Sequence, residues 1–142
     1  MPQMVPINVF PFMAFDAESL EKLSRYAGPG IFLVVAPGPP VAWAHVGVAH
    51  GSLRDEIRAL AAAPGKLQEV IASGATFAPV IIRDLAAREA ALRFLVDELR
   101  PAIQESARPP SDEHRCVLMF HGPENQHPPY RPSTPSAKVQ AA

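Results

Sequence analysis

From Tyr26 to Leu53 the chain holds no Lys, Arg, Asp or Glu. An uncharged run of that length either crosses a membrane as a helix or folds into the buried centre of a domain. Gly28, Pro29 and Gly30, then Pro37, Gly38, Pro39 and Pro40, decide between the two. Proline removes a helical hydrogen bond and clashes with the preceding turn, and lipid offers the freed carbonyls no other partner. The run therefore divides into two buried strands. Ile31 to Val35 is a compact β-branched and aromatic segment, Pro37 to Pro40 is a rigid turn, and Val41 to Val48 alternates weakly as the partner strand.

Composition agrees with a packed domain. Of 142 residues, 48% are hydrophobic and 19% charged, which predicts one ordinary domain with a tail. The formal net charge of −1 gives no global basic field for a nucleic-acid backbone, although a local basic face is compatible with it. Cys116 is the only cysteine, so no intrachain disulfide forms. Pro2, Pro6 and Pro11 punctuate an N-terminus with no basic residue before an apolar run, which does not read as a signal peptide. The expectation is a soluble, cytoplasmic protein with no membrane partner.

Around the two strands the elements fall in order. Residues 1–15 are apolar and Pro-interrupted, with Phe10, Phe12 and Phe15 close together; they read as an extended arm, packed on the domain or docking a protein partner. Asp16 caps a short helix reaching about Tyr26, and Leu20 and Leu23 share one face. Ser52 with Asp55 resembles a capping box, and Leu53, Ile57 and Leu60 keep helical spacing. Pro64-Gly65 interrupts this helix, and Leu67, Val70 and Ile71 resume the period until Gly74. Phe77 to Ile82 is a third strand, placed at an edge by Pro79, which cannot donate to a ladder. Asp84 caps a longer helix whose buried stripe is read as Leu85, Leu92, Leu95 and Leu99, with Arg88, Arg93 and Arg100 on a mixed solvated face. Residues 105–121 are a linker with a possible strand at Cys116–Phe120. From residue 122 the chain is Pro-rich and expected to be extended or disordered. The domain proper spans residues 16–104.

Three groups of residues suggest chemistry or binding. The first is Pro29-Gly30-Ile31-Phe32 in one strand, His45-Val46-Gly47 in the next, Leu53-Arg54 opening a helix, and Leu99-Arg100-Pro101 closing another, followed by Gln104. In that order these segments resemble the GIY-YIG nuclease domain over roughly residues 20–104. The resemblance implies an α+β fold with a small sheet in a β-β-α-β-α core, here with an added N-terminal helix. It also implies phosphodiester hydrolysis with one divalent ion, Mg²⁺ or Mn²⁺. Tyrosines handle the attacking water, an Arg stabilises the phosphorane, and a Glu holds the metal. On this chain the first Tyr position is Phe32, which has no hydroxyl, and the second is His45, a general base by chemistry. The Arg position is Glu56, flanked two residues away by Arg54 and Arg58. The Glu position is Leu92, with Glu89 one turn earlier, and Gln104 stands for the closing Asn.

Placement in a catalytic site tolerates little displacement. The resemblance with these replacements therefore implies a catalytically degenerate domain that serves as a nucleic-acid- or protein-binding accessory module. The alternatives are an active metal-dependent endonuclease, with His45 as base, Arg54 or Arg58 on phosphate, Glu89 or Glu56 on metal and Gln104 on the backbone, or an unrelated small interaction domain. The second group is His114, Cys116, His121 and His127, whose donor types suit Zn²⁺ but whose spacing equally suits a buried strand cysteine beside loop histidines. Cys116 is also weighed as a nucleophile beside a His. The third group is Trp43, His45 and His50, which fit either a wet pocket or a core Trp with surface histidines. In the tail, His127 to Pro132 has the composition of a polyproline II ligand or of a plain linker.

Overall fold

The uncharged run forms the centre of the molecule. A computed structural model of the chain describes residues 3–37, 42–62, 64–102, 114–122 and 138–141. Its elements are β1 (Gln3–Val9), β2 (Met13–Ala14), α1 (Ala17–Lys22) continued by a tight turn Leu23–Tyr26, β3 (Gly30–Ala36), β4 (Ala42–Ala49), α2 (Leu53–Ala62), α3 (Lys66–Ala72), β5 (Thr76–Ile81), α4 (Leu85–Leu99), β6 (His114–His121) and β7 (Lys138–Ala141). The fold is α+β. Residues 38–41, which include most of the expected turn between the two strands, lie outside the described residues.

Strand β3 is buried from Gly30 to Val35 because it is interior in an antiparallel sheet of order β2-β5-β3-β4 that is covered on both faces. Alternation sends Ile31 and Leu33 to one side, where Val46, Ala78, Val80 and the inner face of α4 meet them. Phe32 and Val34 go to the other side, against Phe77 of β5 and Leu53, Ile57 and Leu67 of α2 and α3. An irregularity in the β3–β4 register, where Val34 faces His45 but Val35 faces Trp43, leaves Ala44 as an extra residue. Pro79 pairs with Phe32 on the β3 side, while β2 reaches only Phe77 and Thr76 of β5. The proline thus sits beyond the end of β2, where its missing N–H costs no ladder bond on that flank.

Two glycines set how closely these layers approach. A Cβ at Gly30 would run into the Val80 carbonyl oxygen and Leu53 Cδ1, and a Cβ at Gly47 would run into the Phe32 ring. Gly47 is the register partner of Phe32, so the ring lies flat across the strand where a side chain would otherwise stand. The adjoining hydrogen bonds tie three elements to one loop: Leu53 N, at the start of α2, donates to Gly28 O at 2.9 Å, and Ile82 N, after β5, donates to Pro29 O at 3.1 Å.

Residues read as an arm and a linker form a second sheet. Strands β1, β6 and β7 pair in that order, all parallel. Val5, Ile7 and Val9 of β1 and Cys116, Leu118 and Phe120 of β6 belong to the same core as β3, β5 and α4. The core therefore runs through residues on both sides of the 16–104 span. Lys138–Ala141, within the tail expected to be extended or disordered, is a strand, and residues 123–137 lie outside the described residues.

Helix α4 starts where Asp84 Oδ2 accepts from Ala87 N at 2.9 Å and ends at Arg100, a left-handed residue with φ 47° whose N–H donates to Val96 O. Its buried face is Ala87, Arg88, Ala90, Ala91, Leu95 and Leu99. Leu85, expected in the buried stripe, is 53% exposed, and Leu92 is only partly buried. Small alanines, rather than a row of leucines, bring the helix close to the sheet. Asp16 caps α1 in the same way, accepting from Ser19 N at 2.8 Å, and this bond lowers its carboxyl pKa below the ordinary value.

The two glycines differ in what a methyl group would meet. We expect Gly30→Ala to cost about 3 kcal/mol or more, because backbone must move, and Gly47→Ala about 1–2 kcal/mol, because a ring can tilt. Urea unfolding of the two variants checks the order, and equal costs would remove the distinction.

Candidate functional site

The two motif strands and α2 place four of the proposed residues on one side of the sheet. Phe32, 2% exposed, packs over Gly47 and lies 5.9 Å from the His45 ring, centroid to centroid. His45 is half-buried. Arg54 and Arg58 project from α2, whose Leu53 and Ile57 pack on that same side. Each Arg is engaged locally. Arg54 Nε contacts Asp55 Oδ1 at 3.3 Å, and Arg58 Nη2 donates to Leu20 O at 3.3 Å, tying α2 to α1. Glu56, at the resemblance's Arg position, is exposed on the same helix.

Glu89 is elsewhere. It is exposed on α4, and α4 packs on the opposite side of the β2-β5-β3-β4 sheet from α2. A full layer of buried strands lies between the carboxylate assigned to the metal and the guanidinium groups assigned to phosphate. Leu92, at the resemblance's Glu position, is on α4 as well and packs against the core. Gln104 lies outside the described residues. Among the described residues no three His, Cys, Asp or Glu side chains group as ligands, and no step through a divalent ion is derived.

The other candidate groups also separate. Trp43 faces the α4 side, edge-on to Phe12 at 6.1 Å, while His45 faces the α2 side. His50, past the end of β4, turns to α4. On β6, Cys116 points into the core, and His121 is on the other face of the strand, where Nε2 lies 2.9 Å from Asn8 Oδ1 and the ring stacks on Phe10 at 4.5 Å. His127 lies outside the described residues. Burial pushes the Cys116 thiol up to about 11, which keeps it protonated and non-nucleophilic near neutral pH.

Two features were not legible as sites. Arg88, read as part of a solvated face, is 5% exposed and is the one charged residue in the core among the described residues. Its Nη1 donates to Ile82 O at 3.1 Å and Arg83 O at 3.3 Å, and its Nε donates to His50 Nδ1 at 3.1 Å. It thereby satisfies the carbonyls where β5 passes into α4. The bond fixes His50 as the tautomer with its proton on Nε2, because Nδ1 is the acceptor. Its spacing of seven residues from Leu95, two helical turns along one face, was the available sequence signal.

The second feature is the outer face of the parallel sheet. Register puts Met4 beside Arg115, Pro6 beside Val117 and Asn8 beside Met119, and the Phe10–His121 stack continues the series. Met4 is 62% exposed and Phe10 49%, two of the three large hydrophobic side chains exposed among the described residues. Comparison of the chain with protein-family models, curated proteins and solved structures found no match. No helix among the described residues is long and apolar enough to cross a membrane.

Two measurements check this account. Native Cys116 should react with iodoacetamide at pH 8 about 100-fold more slowly than the unfolded chain, in line with its raised thiol pKa. Comparable rates would mean that the thiol is accessible. Arg88→Met should lower stability by about 2–4 kcal/mol, since buried carbonyls lose their donors. His50→Gln, which keeps an acceptor, should cost less than half as much by the same urea titration.

Proposed function

We propose that this chain is a GIY-YIG-like domain without hydrolytic activity that works as a protein-binding accessory module. Kinship is supported by the order β3-β4-α2-α3-β5-α4, in which two short helices stand where the resemblance implies one, and by Gly30 and Gly47 at the motif positions. The observation that carries the loss of hydrolysis is the separation of Glu89 from Arg54 and Arg58 by the sheet. An oxyanion donor and a metal ligand act on one phosphate only if both reach it. The binding role rests on the outer face of the β1-β6-β7 sheet, where Met4, Phe10, Val117 and Met119 leave apolar surface open on a rigid scaffold. A protein partner suits this face better than nucleic acid. Arg115 is its one Lys or Arg on β1 and β6, and phosphate binding draws on several such cations.

Selection from a random peptide library tests this reading. Peptides should enrich on the wild-type chain and fail on Met4→Glu/Phe10→Glu, whose substitutions fall on exposed side chains. DNA and RNA should stay intact with Mg²⁺ or Mn²⁺. Cleavage abolished by Glu89→Ala would establish the hydrolase alternative. The absence of any enriched peptide would remove the binding role.

A further inference from the structure

The β1-β6-β7 sheet is parallel throughout, and parallel sheets occur almost only with helices on both faces. Helix α4 packs with β1 and β6 over the inner face, through Val5, Ile7, Val9, Cys116, Leu118 and Phe120. The outer face has apolar residues at the positions that a second helix would cover. Met4 and Phe10 are exposed at the two ends of β1, and Val117 and Met119 are half-buried between them.

Charge on this face has one sign. β1 carries no ionisable side chain, and β6 carries His114, Arg115, Cys116 and His121, with no carboxylate on either strand. Arg115 is exposed and makes no salt bridge among the described residues. The flank of β1 away from β6 lies close to β5, and Pro6 interrupts its row of donors, so β1 is a poor template for an added strand. A second copy of the same face would bring Arg115 against strands β1 and β6, which carry no carboxylate.

From the parallel pairing, the open apolar face and its charge we infer that the outer face of the β1-β6-β7 sheet docks an amphipathic helix of another protein, one that flanks its apolar stripe with carboxylates. The helix stands where the second covering layer of a parallel sheet belongs. Its stripe packs on Met4, Val117, Met119 and Phe10, and a carboxylate pairs with Arg115. Methionine at two of these positions adapts to stripes of differing shape. This inference rests on the binding role proposed above and adds the class of partner.

The test uses two synthetic helical peptides with one leucine stripe, flanked by Glu in the first and by Lys in the second. Fluorescence anisotropy gives their affinities, and oxidative footprinting of Met4 and Met119 on the wild-type chain locates the contact. The acidic peptide should bind about tenfold more tightly than the basic one, and added salt should shrink the gap. Phe10→Glu should weaken it about thirtyfold. Arg115→Glu should reverse the preference, and Met4 should be oxidised in the free chain and protected in the complex.

Equal affinity for both peptides, preference for the basic one, or protection confined to α2 overturns the inference. So does a dimer that Met4→Glu dissociates, since the occupant is then a second copy, and so does protection of Met4 in the free chain, since its own residues then cover the face. An oligonucleotide that displaces the acidic peptide and protects the same methionines overturns it in favour of nucleic acid. If neither designed peptide binds while library peptides enrich and are lost with Met4→Glu/Phe10→Glu, the partner class is wrong and the binding role stands. If nothing enriches, both fail.

Discussion

The fold depends on the approach of three backbones at Gly28-Pro29-Gly30. Gly28 O takes the first amide of α2, Pro29 O takes the amide that follows β5, and Gly30 lets the Val80 carbonyl and Leu53 pass where a side chain would stand. One tripeptide thus fixes where β3 starts, where α2 starts and how closely β5 lies against β3. Arg88 extends the junction from the other side of the sheet, holding the Ile82 and Arg83 carbonyls as the chain turns into α4. A guanidinium buried without a carboxylate is costly unless its donors are satisfied, and here backbone oxygens and His50 satisfy them. The demand for a glycine here, and for another beneath Phe32, is structural. It gives the Pro-Gly and His-Val-Gly segments a reason to exist that is independent of chemistry.

That independence bears on the proposed kinship, since packing alone accounts for residues at several motif positions. Phe32 fills the space over Gly47 with an apolar ring, and the pair stabilises the sheet through burial alone. A residue that contributes to packing in this way needs no hydroxyl to be kept. Arg54 and Arg58 similarly have local partners in Asp55 and Leu20 that would hold them in place without a phosphate.

Much of the architecture was legible because it is local. The uncharged run, the Pro/Gly breaks and the capping aspartates gave β3, β4, α2, α3, β5 and α4 within a residue or two. What escaped was long-range. Met4, Pro6, Asn8 and Phe10 alternate with Val5, Ile7 and Val9 at the strand period, yet prolines in that segment masked a strand whose partner lies more than a hundred residues away. The buried stripe of α4 was sought among leucines, whereas close packing on a sheet favours Ala87, Ala90 and Ala91. Arg88 was assigned to solvent by residue type, and only the carbonyls it meets after folding reverse that assignment. For the candidate site, the sequence supplied the residues but could not supply the sheet that separates Glu89 from Arg54 and Arg58.

The two sheets divide the labour differently. The antiparallel sheet is covered on both faces, by α2 and α3 with the Leu23 turn on one side and by α4 on the other, so its residues have little surface left for a ligand. The parallel sheet turns one face to the common core and, among the described residues, leaves Met4 and Phe10 exposed on the other. Because β1 and β6 come from opposite ends of the described chain, pairing them ties the termini into the core and makes that open face rigid. Any partner then meets preformed apolar surface and avoids the entropic cost of ordering a loop, a cost that otherwise opposes binding by a small domain.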